Sequence, residues 1–210
     1  MKSQVSRGSC LIILGGEIPE PARVRAAAAS CREVICADGA VGRAAELGLV
    51  PHFVVGDMDS LPASIPVRRG MIFWCDFDPN RSDFQKCLDF AAARGYARAY
   101  VAGALGGRLD HAAVNLALAE KAPPALDVVL LDRGAGRVLG PGRHRLSLRP
   151  GATFSLLALS DVRVDISGCA YPLRGALLKR GSRGLSNRAR GKTVALKVRG
   201  GRLWFFSGLP

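Results

Sequence analysis

The sequence predicts an α/β domain followed by an all-β domain, that is, an N-terminal mostly parallel sheet with flanking helices and a C-terminal antiparallel β-sandwich or barrel-like domain. Three observations carry this. Strand-like and helix-like segments alternate through the first two-thirds of the chain, short alternating apolar segments follow from about Gly142, and Gly, Pro and Ser punctuate that second region. Alternating β and α segments call for parallel strands joined by covering helices. Closely spaced short strands with turn signals call for antiparallel pairing. The expected domains are 1–138 and 139–210, with Gly134 to Gly142 as the junction.

Each element has a local reason. Leu11-Ile12-Ile13-Leu14 is an apolar run of buried-strand length, closed by Gly15-Gly16. Pro21 to Ser30 is rich in Ala, the strongest helix former. Val34 to Ala37 is strand-like and ends at Asp38-Gly39, and Gly42 to Leu47 suits a short helix with Gly48 as its cap. Phe53–Val55, Met71–Trp74, Ala99–Ala102 and Val128–Leu131 supply further strands, with helices expected over Asp83–Arg94 and Asp110–Lys121. In the second region, His144–Leu148, Thr153–Leu159, Val162–Ile166, Thr193–Val198 and Leu203–Phe206 read as strands.

Composition narrows the class. The chain has 210 residues, of which 49% are hydrophobic, so it can bury a core and is not a disordered polymer. No apolar run reaches the roughly 18 residues a membrane helix needs, and Met1 to Cys10 carries no signal-peptide core. No membrane partner is expected. Six cysteines are scattered without C-x-x-C or zinc spacing, which points to a reduced, cytoplasmic protein. The formal charge is +13, with 24 Arg to 6 Lys. These cations are spread along the chain and no basic run has interleaved aromatics, so no nucleic-acid partner is expected. A positive field also attracts anionic nucleotides.

The most informative feature is Gly56-Asp57-Met58-Asp59-Ser60, directly after the Phe53-Val54-Val55 strand. At a strand end, residues i and i+2 point the same way, so Asp57 and Asp59 can share one target. Two adjacent carboxylates call for a cation, and Mg²⁺ suits a site of one or two carboxylates, waters and substrate phosphates. The alternative is a polar turn in which Asp59-Ser60 caps a helix. Ser82 and Gln85 form a capping box, and Asp83 either complements the helix dipole or adds a third carboxylate at the same sheet edge. Gly103-Ala104-Leu105-Gly106-Gly107-Arg108-Leu109-Asp110-His111 runs from a strand into a helix. Glycines permit close backbone approach, the helix N-terminus offers N–H groups to an anion, and Arg108 adds a planar fork of donors. The same pattern also serves as a simple turn with Asp110 as cap. The chain has no G-x-x-x-x-G-K-[ST] loop, so a nucleotide has to be held differently.

Taken together, Ala37-Asp38-Gly39-Ala40, Gly56 to Ser60, Ser82 to Leu88 and Gly103 to His111 with Asn115 resemble the thiamine pyrophosphokinase family. Tyr171-Pro172-Leu173, Gly184-Leu185-Ser186-Asn187 and Leu203-Trp204 extend the resemblance, in order, over nearly the whole chain. It implies transfer of the pyrophosphoryl group of ATP to the hydroxyl of thiamine, with release of AMP, by a homodimer whose thiamine site involves both subunits. It further implies Mg²⁺ on Asp57, Asp59 and Asp83, which with Arg108 would carry catalysis. The nucleotide would lie against Asp38, Gly39, Gly106, Gly107, Arg108, Asp110 and His111. Thiamine would meet Ser186 and Asn187, with Tyr171 or Trp204 beside its thiazolium charge. His111 is either a general base or a structural residue of the helix start, and Trp204 is either a substrate contact or core.

The chain departs from the family at Asn80, often acidic there, at Leu185, the first place of a Thr-Ser-Asn run, and at Arg188, often Glu. Leu185 and Arg188 bear on the acceptor, which leaves a pyrophosphokinase acting on another alcohol, or a non-catalytic nucleotide binder, as alternatives.

Overall fold

The computed structural model describes residues 8–62 and 69–208, and divides the chain into two compact units, 1–132 and 133–210. The first unit holds six parallel strands: β1 (Ser9–Ile13), β2 (Glu33–Ala37), β3 (Phe53–Gly56), β4 (Ile72–Cys75), β5 (Arg98–Ala102) and β6 (Asp127–Leu131). Their order across the sheet is β6-β5-β1-β2-β3-β4. Helices α1 (Pro21–Ala29), α2 (Val41–Glu46), α3 (Asp83–Ala93) and α4 (Leu109–Lys121) join them. The apolar runs are explained by burial: Cys10 to Ile13 and Val34 to Ala37 are all buried, as strands covered on both faces must be. β1 lies between β2 and β5, where the strand order reverses, and ligands of such sheets bind beyond the strand C-termini at that point.

Helix α3 illustrates how sequence sets local structure. Ser82 accepts a hydrogen bond from the backbone N–H of Gln85, the expected capping contact, and Asp83 occupies the first turn. Phe84, Cys87, Leu88, Phe90 and Ala91 are buried on the sheet side, where the Phe90 ring lies 5.0 Å from Phe53 and 5.4 Å from Trp74. In contrast, β4 is exposed along its length, as the edge strand of the sheet.

The second unit is a sandwich of two antiparallel sheets. One has the order β12-β9-β14-β7, built from β7 (Ala135–Leu139), β9 (Thr153–Ala158), β12 (Asn187–Arg188) and β14 (Leu203–Ser207). The other has the order β11-β10-β13-β8, from β8 (Gly142–Ser147), β10 (Val162–Ser167), β11 (Leu173–Leu178) and β13 (Thr193–Arg199). Alternation does the sorting: Val194, Leu196 and Val198 turn inward with Val162, Val164 and Ile166, and meet Phe154, Leu203 and Phe205 of the facing sheet.

Element ends agree with the sequence reading to within a residue or two, but three strands escaped it. β7 lies inside the segment expected as junction. Gly136, within it, is a packing glycine: a Cβ would meet the Phe206 ring at 2.8 Å. β11 is interrupted by Gly175 at φ 57° and by a register shift opposite Val164 and Ile166, which erases its alternation. β12 is only two residues long. The six cysteines are free, and Cys10, Cys36, Cys87 and Cys169 are buried. No helix among the described residues is long and apolar enough to cross a membrane.

Candidate functional site

The C-terminal ends of β1, β2, β3 and β5 open onto a cleft of about 700 Å³ in the first unit, a size suited to a small-molecule ligand. Gly15-Gly16, Gly39, Asp57, Asp59, Asp83, Lys86, the Gly103–Arg108 loop, His111 and Asn115 all line it. Asp38 lies beneath, fully buried.

The carboxylates converge by a route different from strand alternation. β3 ends at Gly56, and Met58 adopts φ 70°, so the chain turns between the two aspartates. Asp59-Ser60 starts no helix. One oxygen of each of Asp38, Asp57 and Asp59 nevertheless lies within 4.8 Å of the others. Asp38 holds this arrangement together. Its Oδ1 accepts from the Gly39 N–H at 2.6 Å and its Oδ2 from the Met58 N–H at 2.7 Å, which joins the loops after β2 and β3. Gly56 has to be glycine, since a Cβ would meet the Asp38 carboxylate at 2.3 Å. The converging oxygens thus belong to Asp38, Asp57 and Asp59, not to the expected set of Asp57, Asp59 and Asp83.

Asp83 enters through a lysine. The Lys86 side chain is 2% exposed, with its ammonium 3.2 Å from Asp57 Oδ2 and 3.5 Å from Asp83 Oδ1. Burial opposes the Lys86 charge, but the Asp57 and Asp83 carboxylates more than offset it and raise its pKa. Contact with Asp59, then with Lys86, holds the Asp57 carboxyl below its ordinary value. Asp83 is pushed up by burial and by the Asp38 charge. Sequence reading assigned Lys86 no role. The signal was there: a lysine shares a helix face with Asp83, Cys87 and Phe90, at spacings that otherwise select buried apolar residues. The donor set is all oxygen and anionic, which fits a hard divalent cation such as Mg²⁺ and not a thiophilic one.

The opposite wall is backbone. The Gly16 N–H donates to Gly103 O at 3.1 Å, and Asn115 Nδ2 donates to Ala104 O at 2.8 Å. Gly103 stands at φ 75°, and a Cβ there would meet Leu14 O at 2.3 Å. Gly106 is equally confined by Glu17. At the start of α4, Arg108 is the N-cap residue without a capping side chain. Its guanidinium grips Asp110 through two hydrogen bonds, and Asp110 also accepts from the His111 N–H at 2.9 Å. Asp110 is therefore a partner of Arg108, not the helix cap.

The expected acceptor residues lie in the second unit. Asn187 ties down a neighbouring segment: its Oδ1 accepts from the Tyr171 N–H at 3.1 Å and its Nδ2 donates to Tyr171 O at 2.9 Å. Ser186 is exposed at φ 57°, with its N–H bonded to Ser155 Oγ. Tyr171 is 68% exposed, whereas Trp204 is 1% exposed and stacked on Phe206. Of the two expected aromatics, only Tyr171 presents its ring to solvent. Asn80 sits in a surface turn, bonded to Asp78, outside the converging carboxylates.

Comparison with known proteins follows from this geometry. The family model described as thiamin pyrophosphokinase, catalytic domain, matches residues 24–130. The structure is similar to that of thiamine pyrophosphokinase from Bacillus subtilis, with TM-score 0.81 and 19% identity over 96% of this chain and 99% of that one. It is also similar to thiamin pyrophosphokinase from Geobacillus thermodenitrificans (TM-score 0.78, 24% identity, 95% and 96% covered) and from Candida albicans (TM-score 0.76, 18% identity, 95% and 89% covered). No curated protein sequence matches the chain.

Two outcomes are expected. Lys86→Met leaves Asp57 and Asp83 uncompensated, so it costs about 2 kcal/mol in EDTA, less than for fully buried pairs because both partners are partly exposed. Millimolar Mg²⁺ then raises the melting temperature of the variant more than that of the wild type; an equal response would show that the carboxylates hold no cation. Arg108 and the His111 N–H hold Asp110 down to about 2, from an ordinary value of 3.8. The sign is that of a depressed acid: the contribution is present above 3.8 and lost as pH falls through about 2. In Arg108→Gln, carboxyl NMR titration is expected to find Asp110 near its ordinary value.

Proposed function

The chain belongs to the thiamin pyrophosphokinase family, and from that premise we propose that it transfers the pyrophosphoryl group of ATP to the hydroxyl of thiamine, giving thiamine diphosphate and AMP. The observation that carries this reading is the convergence of Asp38, Asp57 and Asp59 within 4.8 Å, in a cleft whose other wall is glycine backbone and Arg108. Phosphoryl-group transfer asks little covalent chemistry of a protein, and depends on aligning reactants and neutralising phosphate charge.

Asp57 and Asp59, with Asp38 or Asp83 beside them, would hold Mg²⁺. When bound, the ion supplies charge neutralisation on the β- and γ-phosphates. Gly39, Gly106, Gly107 and His111 line the nucleotide side of the cleft, where backbone N–H groups face phosphate oxygens. Arg108 exchanges its Asp110 contact for a phosphate, which makes Asp110 a store for the guanidinium in the absence of nucleotide. The thiamine oxygen forms a bond to the β-phosphorus as the bond from that phosphorus to the α–β bridging oxygen breaks. The electron pair leaves with AMP, and the hydroxyl proton passes to solvent or to His111. Ser186, Asn187 and Tyr171 bind the acceptor, while Trp204 stays in the core, stacked on Phe206.

One observation favours a different acceptor. Arg188 is an exposed cation directly after Asn187, and Leu185 beside it is 54% exposed. Both suit a neutral or anionic alcohol better than a thiazolium.

We further assign α4 to a homodimer interface. Of its thirteen residues only Ala119 is buried, while Leu109 is 85% and Val114 51% exposed. A helix this apolar requires a cover, and a second copy would also close the wall formed by His111 and Asn115. Val114→Glu is expected to convert a dimer to a monomer in sedimentation velocity. For the reaction, AMP release from Mg-ATP is measured with and without thiamine, with mass detection of the product. Asp57→Ala and Asp59→Ala are each expected to lower thiamine-dependent AMP release by about a hundredfold or more. AMP release that needs some other alcohol would replace thiamine as acceptor; full activity in both variants would remove the metal-assisted mechanism.

A further inference from the structure

The sandwich unit carries a charge problem that it cannot solve internally. Residues 133–210 contain 16 Lys and Arg against two carboxylates, Asp161 and Asp165, so the net charge of the chain resides there. Much of it is gathered on the outer face of the β11-β10-β13-β8 sheet. Strand alternation sends Leu146, Val194, Leu196, Val198, Val162, Val164 and Ile166 into the core, and turns Arg143, Arg145, Lys197, Arg199, Arg163 and Asp165 outward.

Register places like charges together. Arg143 is opposite Lys197 and Arg163 is opposite Arg199, with Asp165 on the other side of Lys197 as the one opposite charge. Like charges directly opposite destabilise an antiparallel pair. Asp165, the carboxylate of this face, is already occupied: its Oδ2 takes Nε and Nη2 of Arg199 at 2.9 and 2.7 Å, and its Oδ1 takes the Gly175 N–H at 2.7 Å. Among the described residues no ion pair joins Arg143, Arg145, Arg174 or Lys197 to a carboxylate.

The face is also hollow. The extra residue in β11, opposite Val164 and Ile166, breaks the flat ladder. Arg174 lies in that bulged stretch and lines, with Arg143, Arg145, Lys197, His144 and the Arg199-bound Asp165, a concavity of about 680 Å³. Residues two apart on a strand lie roughly 7 Å apart and cross-strand neighbours about 5 Å. Arg143, Arg145 and Lys197 thus form a triangle on the scale of linked phosphate groups. With Arg174, four cations exceed the charge of one phosphate dianion, whereas linked phosphates carry enough charge to engage all four.

We propose that this concave face is a binding site for a small oligophosphate anion, held by Arg143, Arg145, Arg174 and Lys197. The ligand class follows from the hollow shape, the cluster of cations, and a lining without Phe, Tyr or Trp, the large rings on which a nucleic-acid groove would stack bases. The site lies wholly within the second unit and does not depend on the reaction proposed for the cleft.

The test uses the full chain in EDTA, with Arg108→Gln as background so that the cleft contributes little. Calorimetric titration with tripolyphosphate is expected to show one site per chain, and orthophosphate to bind far more weakly. Adding Arg143→Gln and Arg145→Gln should weaken tripolyphosphate binding by roughly tenfold or more. Arg149→Gln, a cation outside the concavity, should leave it unchanged. Melting of the Arg143→Gln, Arg145→Gln protein should occur at or above the background temperature, since repulsion is relieved, which separates lost binding from lost fold. Unchanged affinity without Arg143 and Arg145 would overturn the proposal. So would equal affinity for orthophosphate, or tighter binding of a short DNA duplex at the same ionic strength, the mark of a nucleic-acid surface.

Discussion

The Asp38 carboxylate is the constraint on which the candidate site depends. It is fully buried, yet both oxygens accept backbone N–H groups, one from its own loop and one from the loop after β3. Hydrogen bonds to a charged group contribute roughly 1.5–3 kcal/mol each, and here they do so between segments twenty residues apart. That bridge holds the Met58 N–H at the turn, which the Asp59 N–H closes by donating to Asp57 Oδ1. Gly56 pays its part by having no side chain, because the carboxylate occupies the place of its Cβ. A buried charge, a strained residue and a bare glycine form one unit, and the exposed carboxylates are its product.

A second constraint lies across the cleft. Gly16, Gly103 and Gly106 let two loops touch backbone to backbone, and Asn115 binds the helix to them. One wall is therefore rigid because side chains are missing, the other because a carboxylate is present. Between them Lys86 fixes α3 to the acidic edge by two ion pairs. Strands of the central sheet deliver every one of these loops at the same edge, as the parallel arrangement requires.

Much of this was legible in sequence because it rests on local rules. Apolar runs of four or five residues marked the parallel strands, alternation marked the sandwich, and Ser82 with Gln85 marked the start of α3. Asp57, Asp59 and the glycine loop stood out by spacing alone. What sequence concealed was nonlocal. Strand parity suggested that Asp57 and Asp59 align as i and i+2, but the chain turns at Met58 and they converge for another reason. Asp38 looked like a turn residue because its partner lies on another strand. Lys86 was masked by its helix, β7 lay inside the expected junction, and the bulge in β11 cancelled the periodicity that would have revealed the strand.

The position of β1 carries a consequence for how the chain comes into being. β1 precedes the other described strands, but one of its two neighbours is β5, and Ser9 pairs with Arg98. During synthesis this buried strand waits with one edge open until Arg98–Ala102 has left the ribosome. Contacts so distant in sequence slow folding and prolong exposure of apolar edges. The sandwich has distant pairings of its own, with Ala135 opposite Ser207 and Gly142 opposite Val198. For this protein a chaperone or a slow codon before residue 98 would act on the waiting edge of Leu11 to Ile13.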